Sequence, residues 1–453
     1  MPGRREAVQA ESQCRFYPEV AGAARRRLCD TPRMTAIPKT ALAGLFLLLA
    51  ACAAEPQWNG SLQTLLESQP ARFGTVMRDP ERYRLQIIYT QIDRDAANNP
   101  SFRSFSYRVN ADEYFYPAST VKLPTALIAL EALQKLGIPR DAAMFTGSAA
   151  DFQTSALVDD SAPDGVPSVA HYIRKILLVS DNDAFNRLYE LLGQQALNEA
   201  LIRHGLHNSR IVHRLESVLT PEQNLLSNPL RLEVGGRTVY EQEAVRSAKS
   251  FVAPEAELLG VAEIVGGELR QGPKDFSVKN AYSLQDQHDL LQSLLFPAAV
   301  DDKSRFEISE DDLDFVYRWM STYPRESGIT QYSNAAEYPD GYVKFLLYGG
   351  KAESIPDPIR VFNKVGDAYG FLTDAAYVVD FEHGVEFLLA ATIYTNANQT
   401  FNDGEYEYDE IGLPFLRDLG QAIYEIELTR PRSHVPDLSR FSFDTRGISA
   451  EID

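Results

Sequence analysis

Cysteine is nearly missing from this chain: the only three stand at positions 14, 29 and 52, and none follows. A disulfide-stapled fold and a cysteine nucleophile are therefore excluded for everything downstream of Cys52. Positive charge is also short, with 44 Lys and Arg against 63 Asp and Glu and a net charge of −19. The acidic residues are spread along the chain, and no basic footprint offers itself to a nucleic acid. The balance reads as an acidic solvated surface. No Gly pair of the chain stands in a Walker-type phosphate-binding loop or in a dinucleotide-binding pattern. His204, His207 and His213 fall close together, but no Asp, Glu or Cys stands around them at ligand spacing, so no metal or other cofactor is expected. No internal repeat is visible. What remains is ordinary globular composition, 44% hydrophobic and 24% charged, enough for a sizeable core.

The apolar run Ala41 to Ala51 has eleven residues, too few to span a bilayer and right for the core of a signal peptide. It ends in Leu49-Ala50-Ala51-Cys52, which resembles the bacterial lipoprotein signal, where the cysteine is lipidated and becomes the new N-terminus. Met34 and Lys39 would supply a start and a charged leader, which makes residues 1–33 an upstream extension. The resulting expectation is a lipid anchor on Cys52, with the membrane met through that anchor alone and the body facing the periplasm.

Residues 52–66 read as a tether. Arg84 to Ile92 alternates as a strand, with Phe105 to Val109 as its partner and a polar loop between them. A helix follows from Ser119 through Leu133 to a Gly137 stop. Residues 138–165 read as loops with a short helix. Helical patterning resumes at Ser168, breaks at Ser180-Asp181-Asn182 and continues from Ala184 to Leu192 and from Gln195 to His204. Gly235-Gly236 between two alternating runs signals a hairpin. Residues 283–296 and 310–321 are helix candidates; strands follow at 360–364, 375–380 and 385–394, then a helix over 411–424 and a polar tail over 429–453. Strands at both ends with helices between predict one α+β body over 67–428: an antiparallel sheet flanked by helices, with an all-helical region inserted.

Within this frame stand Ser119-x-x-Lys122, Ser180-Asp181-Asn182 and, at a strand end, Lys364-Val365-Gly366. The first places a hydroxyl and an amine on one helix face, one turn apart, where the amine can accept the hydroxyl's proton. An SDN triplet between helices is by itself a turn and a cap. Taken in order, the three resemble the motif set of class A β-lactamases and penicillin-binding proteins. The spacing agrees with the resemblance: Ser180 lies 61 residues after Ser119, and Arg214-x-Glu216 falls where the family carries its omega-loop arginine and glutamate.

The resemblance implies a β-lactamase/transpeptidase-like fold and a serine hydrolase. Ser119 would be the nucleophile, Lys122 the proton acceptor and Ser180 the relay to the leaving nitrogen. Glu216 would prime the water that hydrolyses the acyl-enzyme. Asn182 and Lys364 would bind substrate, and Gly366 and Asp367 would line the site, the N–H groups of Ser119 and Asp367 forming the oxyanion hole. Removing one such donor typically costs about 2.7–4 kcal/mol in the transition state. The expected substrate is a small molecule, a β-lactam amide; a cell-wall peptide or other ester or amide at the same site, or a catalytically silent envelope-binding protein on the same fold, are the alternatives. Three departures from the family pattern stand out. Val365 replaces a threonine that helps bind the β-lactam carboxylate, Thr220 replaces an asparagine that holds the deacylating water, and Glu216 and Lys364 are 148 residues apart, well beyond the usual separation. The surplus, mostly 220–280, either overhangs the site or decorates the surface.

Overall fold

The computed structural model describes Trp58 and residues 60–444, so Cys52 and the leader lie outside the described residues. A five-stranded antiparallel sheet runs in the order Ile359–Ala368, Phe371–Asp380, Val385–Tyr394, Gln86–Arg94, Pro100–Tyr107, joining both ends of the chain as the strand pattern implied. The two C-terminal hairpin strands are buried along their whole length, consistent with a sheet covered on both faces.

Each face has its own core. The back face packs against Leu62–Ser68, Pro70–Met77 and Leu413–Thr429, with Leu66, Phe73, Leu416, Leu419 and Ile423 at its centre. The front face meets the helical region, which includes Lys122–Leu136, Val169–Val179, Asn182–Leu192, Leu284–Leu295 and Glu310–Ser321. The body therefore begins near Leu62, inside the stretch expected as a tether. It also continues past the expected closing helix: Leu438 and Phe441 are buried in the front core, and Arg430 and Arg432 pair with buried Glu427. The polar look of 429–444 comes from arginines whose carboxylate partners lie on other elements. No helix forms in 138–165; Ala143–Thr146 is a strand instead.

The surplus 220–280 divides in two. Its first hairpin, Leu230–Val234 with Arg237–Gln242, turns at Gly235 and Gly236, both at positive φ, and adds to Ala143–Thr146 as a small three-stranded sheet. Its second half pairs Ala262–Val265 with Glu268–Gln271 and lays Ala262 and Glu263 parallel to Thr400 and Phe401, just after the main sheet's third strand. A side chain on Gly260 would meet Phe401 at 2.5 Å, so glycine lets the two backbones close.

Behind the strand that carries Lys364, Lys344 is wholly buried and donates to Met320 O (2.7 Å), Val361 O (2.9 Å) and Asn363 Oδ1 (2.7 Å). Asp374 accepts from the amides of Phe345 (3.1 Å) and Leu346 (3.0 Å) and from Asn363 Nδ2 (2.8 Å). Burial pulls the Lys344 ammonium down and pushes the Asp374 carboxyl up, each opposed by the charge of the other. Lys344→Met would leave Asn363 Oδ1 and two carbonyls without their donor and Asp374 without its buried counter-charge; a loss of about 3–5 kcal/mol is expected, read from urea unfolding midpoints.

Candidate active site

The chain enters the site through Tyr116-Pro117-Ala118-Ser119. Ala118 is at φ +47°, a left-handed turn that an L side chain adopts at a cost. A short 3-10 turn over Ala118–Val121 follows and runs into the helix from Lys122. Thr120 closes the turn twice on Pro117 O, through its amide (3.1 Å) and its hydroxyl (2.8 Å). Ser119 thus stands at a helix start, where backbone N–H groups have no partner within the helix.

Lys122 lies 2.8 Å through Nζ from Ser119 Oγ and has no exposed surface. It also donates to the Ser180 carbonyl and reaches Ser180 Oγ at 3.2 Å. Ser180 ends the helix Val169–Val179 in the left-handed region, φ +61°, while Asp181 caps the next helix through Ala184 N (2.7 Å). The SDN triplet is therefore the turn its composition suggested, and its strained first residue carries the catalytic-type hydroxyl. From the sheet side Lys364 Nζ reaches Ser180 Oγ at 2.8 Å and Val365 O at 3.0 Å. Ser119, Lys122, Ser180 and Lys364 form one hydrogen-bonded chain.

Gly366 has a steric reason. A Cβ there would fall 2.3 Å from Pro117 O and 3.1 Å from Ser119 N, so only glycine lets the strand lie against the Pro117–Ser119 turn. Val361 and Val365 face the back core, whereas Phe362 and Lys364 face the helical side. The side chain at 365 is thus turned away from the pocket, and the methyl-for-hydroxyl exchange leaves the pocket wall unchanged.

Ser119, Asn182, Glu216 and Asp367 line one pocket, together with Tyr116, His213, Lys279 and Tyr369. Glu216 is exposed, at φ +50°. Its neighbour Leu215 is pinned from both sides by Asn186, which donates to Leu215 O (2.9 Å) and accepts from Leu215 N (2.8 Å). Arg214 goes elsewhere, to buried Glu190 (3.1 Å) and to Leu226 O (2.9 Å), so the Arg-x-Glu motif splits into an anchor and a pocket residue. Burial holds the Glu190 carboxyl above its usual range, against the pull of Arg187 and Arg214. Thr220 is occupied as a helix cap: its Oγ1 accepts from Gln223 N and its amide donates to Gln223 Oε1, a capping box.

Among the described residues, four of the ten non-glycine residues at positive φ, namely Ala118, Ser180, Glu216 and Tyr369, lie in this site, a concentration of strain expected of a functional centre. The closely spaced histidines separate: His204 packs on Phe306 and sits beside Glu131, while His213 comes to the pocket. Sequence reasoning gave no role to Tyr116, Asn186, Lys279 or Tyr369. Only Tyr116 stood inside a motif; Lys279 arrives from the inserted segment, which has no motif of its own.

A family model described as "Beta-lactamase enzyme family" matches residues 62–426. Among solved structures the chain is similar to a β-lactamase from Sphaerobacter thermophilus (16% identity, TM-score 0.45, covering 82% of this chain and 98% of that one). It is similar also to a β-lactamase from Xanthomonas campestris pv. campestris (16%, TM-score 0.46, 80% and 98%) and to PBP-A (16%, TM-score 0.43, 82% and 97%). No curated protein matches the chain.

Gly366→Ala should push the strand off the Pro117–Ser119 turn. A displacement near 1 Å at a reacting centre costs about 100-fold, so acylation of Ser119, followed by intact mass against time, is expected to slow by about that factor.

Proposed function

The chain belongs to the β-lactamase enzyme family, and from that premise we propose that it hydrolyses a β-lactam amide through an acyl-serine intermediate on Ser119. The observation that carries this reading is the 2.8 Å approach of Lys122 Nζ to Ser119 Oγ, with Ser180 Oγ bridging on to Lys364. Lys122 takes the proton as Ser119 Oγ attacks the carbonyl carbon. The amide C–N bond breaks when Ser180 relays that proton to the leaving nitrogen, and Lys364 holds the relay hydroxyl in place. Asn182 binds a substrate amide from the pocket wall. The N–H groups of Ser119 and Asp367, on backbones that Gly366 brings together, receive the oxyanion. Glu216, on the same pocket, takes a proton from the water that cleaves the acyl-enzyme.

A second reading keeps the site and changes the substrate to a non-lactam ester or amide such as a cell-wall peptide. It is favoured by Lys279, which the inserted segment brings to the pocket and which the motif set does not call for. We propose further that Cys52 is lipidated, which would hold the enzyme in the envelope with its catalytic body facing the periplasm.

Ser119→Ala should abolish labelling by both a fluorescent penicillin and a fluorophosphonate, scored by intact mass. A wild type labelled by neither probe would falsify the hydrolase reading, and labelling by the fluorophosphonate alone selects the non-lactam substrate. With Glu216→Gln the adduct should persist, its hydrolysis slowed about 10²–10⁴-fold, the usual contribution of a positioned general base. Separately, Cys52→Ala should lose palmitate incorporation and move the protein out of the membrane fraction; unchanged fractionation would remove the anchor.

A further inference from the structure

Among the described residues four lysines are buried. Lys344 braces the strand from behind, and Lys122 and Lys364 meet at Ser180. Lys175, near the end of the helix Val169–Val179, takes part in neither arrangement and does not line the pocket. An ammonium is seldom taken out of water unless it is paired.

Lys175 is paired to the SDN turn, and from both of its ends. Its carbonyl oxygen accepts from the amides of Ser180 and Asp181, the second at 3.3 Å. Its Nζ lies 3.5 Å from Asp181 Oδ2, while Asp181 Oδ1 caps the next helix at Ala184 N (2.7 Å). Backbone and side chain therefore close a ring from Lys175 through Asp181 and back. Nζ also donates to Asp159 Oδ2 at 3.1 Å. Asp159, in the loop before this helix, is itself fixed by Ser161, whose amide (3.0 Å) and hydroxyl (2.5 Å) donate to Oδ1. That hydroxyl in turn accepts from His171 Nε2 at 2.8 Å. Burial weakens the Lys175 ammonium, but the charges of Asp181 and Asp159 outweigh it and lift the group above the usual lysine range. Lys175 stays a cation between two carboxylates.

The turn has to be held against its own preference, because Ser180 at φ +61° is in a conformation that costs an L residue. Asp181 stands between Ser180, whose hydroxyl joins Lys122 to Lys364, and Asn182, which lines the pocket. Without the ammonium, Asp159 and Asp181 would meet as like charges, and Asp181 would move outward with the turn attached.

Resting on the acyl-serine reading, we propose that Lys175 is a positioning residue: through Asp181 it sets where Ser180 Oγ and Asn182 stand, and so how fast Ser119 is acylated.

The test times acylation by a fluorescent penicillin, read by intact mass, in full-length Glu216→Gln protein, whose adduct accumulates. Adding Lys175→Met should slow adduct formation about 10–100-fold, the scale of a displacement of up to 1 Å at a reacting centre. Hydrolysis of the finished adduct, which does not use the relay, should keep its rate. Lys175→Met with Asp159→Leu removes the buried pair whole and spares the fold, yet acylation should stay slow. Recovery of acylation in that pair of substitutions overturns the proposal, since Lys175 would then only neutralise Asp159. Unchanged acylation in Lys175→Met, or equal slowing of both steps, overturns it too and leaves the acyl-serine intact. A parent protein that forms no adduct overturns both. If Lys175→Met does not fold, Asp181→Asn decides, because asparagine still caps the helix but offers the ammonium no charge. Slowed acylation there supports the proposal, and an unchanged rate overturns it.

Discussion

Lys122 and Lys364 carry their amino groups into the interior on different layers of the fold, one on the first turn of a helix and one on a strand, and the Ser180 hydroxyl is where both arrive. A buried amino group without hydrogen-bond partners is costly, so neither layer can shift without uncovering one of them. The other constraints of the site follow from that junction. Ser180 must leave the helical region at a positive φ to point its hydroxyl inward, and residue 366 must lack a side chain for the strand to come close enough. The Lys344–Asn363–Asp374 network behind the strand fixes the residue next to Lys364, so the strand is held on both sides.

Much of this was legible in the sequence because the motifs are local. Ser119 and Lys122 need only a helix to meet, and the SDN triplet needs only the end of one helix and the start of another. The sheet, too, announced itself in alternating runs at both ends of the chain. Residues whose roles depend on distant packing were not legible. His213 looked like one of three neighbouring histidines, and only the fold shows that Asn280, from the far end of the inserted segment, holds its backbone beside the pocket. Val365 sits inside a motif, but its orientation follows the register of the strand, which no local pattern fixes. The stretch after residue 429 read as polar because its arginines pair with carboxylates on other elements, as Arg440 does with Glu310 and Asp314.

The inserted segment answers both readings of it. The Gly235-Gly236 hairpin extends a small sheet and is a surface elaboration. The half that ends at Asn280 forms part of the pocket wall, through Lys279 and through Phe276, which packs among Tyr114, Tyr116, Tyr369 and Phe401. An aromatic cluster therefore joins the insertion to the turn that presents Ser119.

The strands of that second half are short, and Glu268–Gln271 is exposed along its whole length. This outer hairpin, Ala262–Val265 with Glu268–Gln271, meets the main body at Thr400 and Phe401 through a parallel pairing two residues long. Segments with so few buried contacts open and vary at little expense to global stability. That hairpin can thus change at little expense, whereas Phe276 to Asn280, which reach the pocket wall, are held by the aromatic cluster and by bonds to Val212 and His213. In this architecture the wall that the insertion lends the pocket and the hydrogen-bonded chain of Ser119, Lys122, Ser180 and Lys364 lie on separate stretches of sequence.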